Sequence, residues 1–212
     1  RSWDQLLPSV WQEIVKHGDR RPYLEFLTQQ ISAPMASTYL NYAAILDRWS
    51  QVIDSSNIRV FSYNTVIAGG QDIVQHFCQQ VLDISLDTVA SRQDNPSQRP
   101  ARTETLRQLN SLYFKGKPQS PRVRNQLEKN QQQVAEDLQQ LEEIYKPHMA
   151  KARICAPFVF QHVERQFLRK YGARVENLSP EGRLFLDNTF VPAPYVRQDY
   201  LMEAGVQELF RK

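Results

Sequence analysis

Asn57-Ile58-Arg59-Val60-Phe61-Ser62-Tyr63 interrupts a chain that is otherwise periodic at the helical spacing. The segment is short, β-branched and aromatic, and polar turn residues (Asp54 to Asn57) precede it, so Ile58 to Tyr63 reads as a buried strand. Gly69-Gly70 then permits a tight turn, and Ile73, Val74, Phe77, Cys78 and Val81 form the inward stripe of a new helix. Loop, strand, loop and helix in that order is a piece of α/β architecture. One strand is not a sheet, however. Either its neighbours lie in a segment preceding Arg1, or Ile58 to Tyr63 is not a strand. The expected fold class is α/β, predominantly helical, with few parallel strands.

Upstream, Trp3, Leu6, Leu7, Val10, Trp11, Ile14 and Val15 recur at three-four spacing on one stripe, and Gly18 supplies a stop. Pro8 should kink the first turns of this helix or mark its true start. A second helix is expected from Tyr23 to Ile31, ending before Pro34. Thr38 can cap a third, with Tyr39, Tyr42, Ala43, Leu46, Trp49 and Ile53 as its buried stripe.

Downstream, Ser91 to Arg102 is polar and broken by two prolines, which makes it a loop. Leu106, Leu109 and Leu112 suggest a helix that stops at Gly116. Pro121 to Tyr145 reads as a long Gln-rich helix whose apolar positions, Val123, Leu127, Val134, Leu138, Leu141 and Tyr145, follow an approximate heptad. It is either an arm for a protein partner or self-association, or an amphipathic helix lying along the body of the domain. Pro157 should open a helix carrying Phe160, Val163, Phe167 and Tyr171, and Ser179-Pro180 a short one to about Phe190. The tail from Pro192 has two prolines, then a turn or two of amphipathic character.

At 212 residues the chain is one domain, or a domain with an appendage. Hydrophobic residues at 41% and charged residues at 23% exclude wholesale disorder and collagen-like structure. No apolar run approaches the roughly 18 residues that cross a bilayer. Cys78 and Cys155 are too few for a disulfide framework, and with no signal peptide before Arg1 they favour a reducing, cytoplasmic location. A formal charge of +3 is too small for the concentrated basic face that nucleic acid requires. It suits a protein that handles one small, highly charged anion.

No Gly-x-Ser-x-Gly elbow, His-Glu-x-x-His, Cys-x-x-Cys or Gly-x-x-x-x-Gly-Lys loop occurs. His17, His76, His148 and His162 are scattered, so no metal site is expected. The more telling pair is Arg1 and Ser9. A guanidinium at a strand end offers a planar fork to two phosphate oxygens, and a hydroxyl near the start of the next helix adds a third donor. A solvated Arg and a helix-surface Ser would show the same spacing.

Arg1-Ser2-Trp3-Asp4-Gln5-Leu6-Leu7-Pro8-Ser9-Val10-Trp11 resembles the second half of the 3′-phosphate motif of sulfotransferases that use PAPS (3′-phosphoadenosine-5′-phosphosulfate). Tyr39 to Trp49 is similar to the tyrosine-rich helix of bacterial members, Asn57 to Tyr63 to their strand ending in Tyr, and Gly69 to Phe77 to the helix after it. Asn95-Pro96-Ser97 with Leu106 to Asn110 resembles a later segment. The ordered set covers residues 1–112.

The resemblance implies that residues 1–115 are the nucleotide half of a three-layer, P-loop-like sulfotransferase fold, and that 116–212 form a helical C-terminal region containing helix 121–145. It implies that Arg1 and Ser9 grip the 3′-phosphate of PAPS and that Tyr63 lies near the adenine. Asn64 departs from the family pattern, which places an acid after the Tyr. The 5′-phosphosulfate loop and the catalytic base would lie upstream of Arg1, which leaves the catalytic residues unassigned and the chain alone incomplete. The implied reaction transfers a sulfuryl group to a hydroxyl of a carbohydrate, lipid or small-molecule acceptor. Tyr113, Phe158, Phe160 and Tyr195 are aromatic candidates for an acceptor pocket, or for core packing. The other reading is a non-catalytic helical interaction module or a degenerate sulfotransferase-like domain.

Overall fold

Trp3, Leu7, Trp11 and Val15 recur four apart, and all four are buried along α1 (Trp3–Lys16). Pro8 sits inside this helix and does not begin it. The helix ends in a Schellman motif: Gly18 takes φ 101°, its amide reaches the Val15 carbonyl at 3.0 Å, and the Asp19 amide reaches that of Ile14 at 2.9 Å. The computed structural model describes residues 2–86, 99–114, 135–152, 157–179, 181–184 and 193–202. These describe a mostly helical chain that divides into two compact units. The boundary expected near residue 115 lies outside the described residues.

The first unit comprises Arg1–Leu6, Gln29–Asn95 and Ile154–Phe190. Within it α2 (Tyr23–Ser32) contributes its last turn, followed by α3 (Tyr42–Trp49), α4 (Tyr63–Ala68) and α5 (Ile73–Val81). Asn41, not Thr38, caps α3: its Oδ1 accepts the Ala44 amide at 3.1 Å, while the Ser37 hydroxyl accepts the amides of Tyr39 and Leu40 and holds the preceding turn. Because α3 ends at Trp49, Ile53 falls beyond it, and both side chains are exposed where the sequence stripe put them inside.

The segment expected as a strand pairs only once. Val60 and Val175 form an isolated parallel bridge, with Val60 N–H to the Arg174 carbonyl and Glu176 N–H to the Val60 carbonyl, each at 2.9 Å. Two residues later Ser62 caps α4 and Tyr63 is already helical, so the extended run is too short for a ladder. The stripe of α5 is not covered either, and no residue of that helix is buried. Ile73, Val74, Phe77 and Val81 are exposed, and Cys78 is half-buried.

Among the described residues the remaining α-helices are, in chain order, α6 (Pro100–Leu109), α7 (Ala135–Tyr145) and α8 (Pro157–Tyr171). Helix α8 belongs to the first unit and buries Phe160, Val163, Phe167 and Tyr171. Trp3 stacks on Tyr42 at 5.6 Å and on Phe160 at 5.3 Å, and Tyr42 meets the edge of Phe167 at 6.3 Å. Residues 181–184 form a turn, and residues 180 and 185–190 of the helix expected there lie outside the described residues. Gly182 adopts φ 70°, and Glu164 of α8 accepts the Leu184 amide at 2.9 Å and the Arg183 guanidinium at 2.7 Å.

The second unit comprises Leu7–Thr28, Pro96–Arg153 and Val191–Lys212. Its sheet has two short strands, β1 (Met149–Ala152) and β2 (Ala193–Val196), paired antiparallel from Met149↔Val196 to Ala152↔Ala193. The expectation of parallel strands is thus corrected: among the described residues the named strands are antiparallel, and the only parallel pairing is the isolated Val60–Val175 bridge. Leu141, Tyr145, Val196 and Tyr200 form a core cluster joined by Ala101, Leu109, Ile144 and Leu201. Two seam positions of the long Gln-rich helix, Leu141 and Tyr145, are therefore spent in the unit's own core; residues 121–134 lie outside the described residues.

Helix α6 starts at Pro100, inside the expected loop, and passes at Asn110 into a π-helical turn, Asn110–Phe114. Its buried face is polar. Thr103, Glu104, Thr105, Arg107 and Gln108 are buried, whereas Leu112 is exposed.

Candidate functional site

Tyr63 stands at the first position of α4, half-buried, immediately after the Ser62 cap. Asn177 holds Ser62 by both backbone groups. Its Oδ1 accepts the Ser62 amide at 2.6 Å and its Nδ2 donates to the Ser62 carbonyl at 3.1 Å. The side-chain amide thereby copies the rung that a neighbouring strand would have supplied beyond Val60–Val175. On the other flank Arg59 pairs with Glu176 at 2.6 Å, its guanidinium also reaching the Gln80 carbonyl. That contact holds the Glu176 carboxyl below the usual range.

Asn64 links this corner to the start of α1. Its Oδ1 accepts the Ser2 amide at 2.9 Å, and its Nδ2 donates to Gln5 Oε1 at 3.4 Å. An acid at position 64 could make the first of these bonds but could not donate the second. Within the first unit, then, the opening turn of α1 is brought beside Asn64 and so beside Tyr63. Arg1 itself lies outside the described residues. Ser9 is on α1, half-buried, in the second unit.

Several groups that could move protons are engaged elsewhere. In the first unit the Tyr171 hydroxyl donates to Asp47 Oδ1, and Lys170 pairs with the same oxygen at 2.6 Å. Those two hydrogen bonds keep the Asp47 carboxyl below its usual range, which makes it a weak base. His76 has its Nδ1 at 2.9 Å from Gln71 Oε1 and its ring edge on Phe61. In the second unit His148 Nδ1 lies 2.8 Å from Asp199 Oδ1, an orienting pair of the kind that holds a catalytic imidazole. Among the described residues no group of three His, Cys, Asp or Glu could hold a metal ion, and no helix is long and apolar enough to cross a membrane. Of the aromatic candidates for a pocket, Phe160 is buried against Trp3, and Tyr195 contacts Tyr23 at 5.8 Å. The side chains of Tyr113 and Phe158 lie outside those described.

The second unit also contains the most buried ionic group among the described residues. Glu104 accepts from Arg107 Nε at 2.8 Å and Nη2 at 2.6 Å, from the Gln108 and Gln198 amides at 3.1 Å each, and from the Tyr200 hydroxyl. Arg107 further donates to the Arg20 carbonyl at 2.7 Å and to Gln198 Oε1 at 2.5 Å. Burial pushes the Tyr200 and Tyr145 phenols upward, so both stay neutral. With its donors and acceptors matched inside the unit, the cluster is a structural lock. Nothing in the one-dimensional pattern marks it, because Glu and Arg three apart on a helix ordinarily form a solvated pair.

Compared with protein-family models, with curated proteins and with solved structures, the chain matches none of them.

Proposed function

We propose that the chain is sulfotransferase-like and PAPS-dependent, with a fold that is a portion of the three-layer, P-loop-like sulfotransferase architecture. In this reading Arg1 and Ser9 hold the 3′-phosphate, Tyr63 lies against the adenine, and the sulfuryl group passes to a hydroxyl of a carbohydrate, lipid or small-molecule acceptor. One observation carries the reading furthest. The Ser2–Asn64 bond of 2.9 Å puts the opening residues of the 1–11 block beside Asn64, the residue that follows the 57–63 block, and the resemblance assigns both blocks to one nucleotide.

PAPS would supply the activated sulfuryl group. What these residues do is bind and orient. A guanidinium and a hydroxyl on one phosphate fix the nucleotide's far end, and an aromatic ring fixes the base, which is positioning rather than the bond-breaking step. Charge that builds on the bridging oxygen of a phosphosulfate needs donors at the 5′ end, a task that Arg1, Ser9 and Tyr63 do not perform.

Calorimetric titration of 3′-phosphoadenosine-5′-phosphate, with adenosine 5′-monophosphate as control, tests the reading. Binding should require the 3′-phosphate, and Arg1→Ala should weaken it by about 10- to 100-fold, the scale of one charge-assisted hydrogen bond. Equal affinity for the two nucleotides, or none for either, would overturn the nucleotide assignment.

A further inference from the structure

A partly open cavity of about 220 Å³ lies in the first unit, walled by Ile45 and Leu46 of α3, Val60 and Phe61 of the extended segment, Phe167 of α8, and Leu184. The other described lining residues, Tyr42 and Ser62, contribute the only side-chain hydroxyls among those described, and none of the described lining residues is charged. We propose that this cavity is a binding site for an uncharged hydrocarbon group, a ring system or short alkyl chain, of a small molecule.

The backbone polar groups of Val60 and Ser62 in the wall are already paired. Val60 gives its amide to Arg174 and takes that of Glu176, and Ser62 exchanges both backbone groups with Asn177. The Ser62 hydroxyl accepts the Thr65 amide at 3.4 Å. Burial pushes the Tyr42 phenol upward, so it stays neutral, and its ring is fixed between Trp3 and the edge of Phe167. A ligand with several hydrogen-bonding groups would lose its hydration here with little in return, which disfavours a sugar and equally a purine. Hydrocarbon loses nothing. An apolar cavity of about 150 Å³ is sufficient for benzene, so this one has room for a bicyclic ring. The site stands independently of the nucleotide reading. If that reading also holds, a step that rests on it, the acceptor carries a hydrocarbon ring or chain and is not a bare sugar.

The test uses methyl-resolved NMR on the full chain, with 2-naphthol and 1-octanol as probes and glucose and adenosine as controls. Both probes should shift the methyl signals of Ile45, Leu46, Val60 and Leu184 saturably, and neither control should. Leu46→Trp and, separately, Ile45→Trp fill the space and should weaken 2-naphthol by about tenfold or more while the thermal midpoint is retained. Absence of those shifts in the unmodified chain overturns the proposal even if neither filled variant folds. So does binding that survives a folded filled variant, or adenosine shifting the same methyls. Failure of the nucleotide titration alone would refute only the nucleotide assignment.

Discussion

Replacing Glu104 by Ala removes the acceptor around which the second unit's polar core is arranged. The carboxylate is 1% exposed and Arg107 4%, so water cannot take its place. Arg107 would keep the Arg20 carbonyl and Gln198 Oε1 but lose both bonds to its counter-charge. Stranding a buried charge in this way costs about 3–5 kcal/mol, against a total stability of about 5–15 kcal/mol for a typical domain. Urea unfolding followed by circular dichroism should show the midpoint falling by about 2 M, given slopes of about 1–3 kcal/mol per M. Arg107→Met should cost a similar amount for the converse reason. The discriminating variant is the double replacement Glu104→Leu with Arg107→Met, which removes both charges and leaves neither stranded. It should be more stable than either single variant. Additive losses, or a Glu104→Ala variant within about 1 kcal/mol of the parent, would refute the view that the pair acts as one unit.

Burial pushes the Asp19 carboxyl up, but hydrogen bonds from the Arg21 side chain and backbone outweigh it and leave the group below its usual range. A lowered carboxylate stabilises the fold above its ordinary value of about 4, and that contribution is lost as pH falls through the lowered one. Asp19→Asn should therefore be less stable than the parent at pH 7, with the gap closing in melts below about pH 4. Asn177→Ala should cost about 1–3 kcal/mol by leaving the Ser62 amide unpaired, while the Ser62 carbonyl keeps the Val66 amide at 3.2 Å. Hydrogen exchange at the Ser62 amide should accelerate in step, and unchanged exchange would contradict the assigned pairing.

Helices that bury their own apolar stripe were legible in the sequence. Trp3, Leu7, Trp11 and Val15 with Gly18 at the stop, and Phe160, Val163, Phe167 and Tyr171 behind Pro157, depend only on local spacing. Illegible features depended on distant partners. The buried polar face of α6 is satisfied by residues 87 to 96 positions away, such as Arg20, Gln198 and Tyr200. Apolar spacing gives α5 a stripe but does not say that anything covers it. At the candidate site, Tyr63 stood out as the aromatic end of an extended run. Asn64 showed only as a departure from an acid, and Asn177 not at all, since an asparagine shows its role only through the backbone it meets, 62 and 115 residues distant here.

The clasp between Ser62 and Asn177 has a consequence for synthesis. Its two halves are separated by 115 residues, so at about 5–20 residues per second the ribosome delivers Asn177 on the order of ten seconds after Ser62. For most of that interval Val60 and Phe61 have been made while Phe167 and Val175 have not, and Leu184 follows only after Asn177. The nascent chain presents this extended apolar stretch unpaired, the form that chaperones recognise. Slowing translation beyond residue 63 should lengthen that exposure without altering the finished fold.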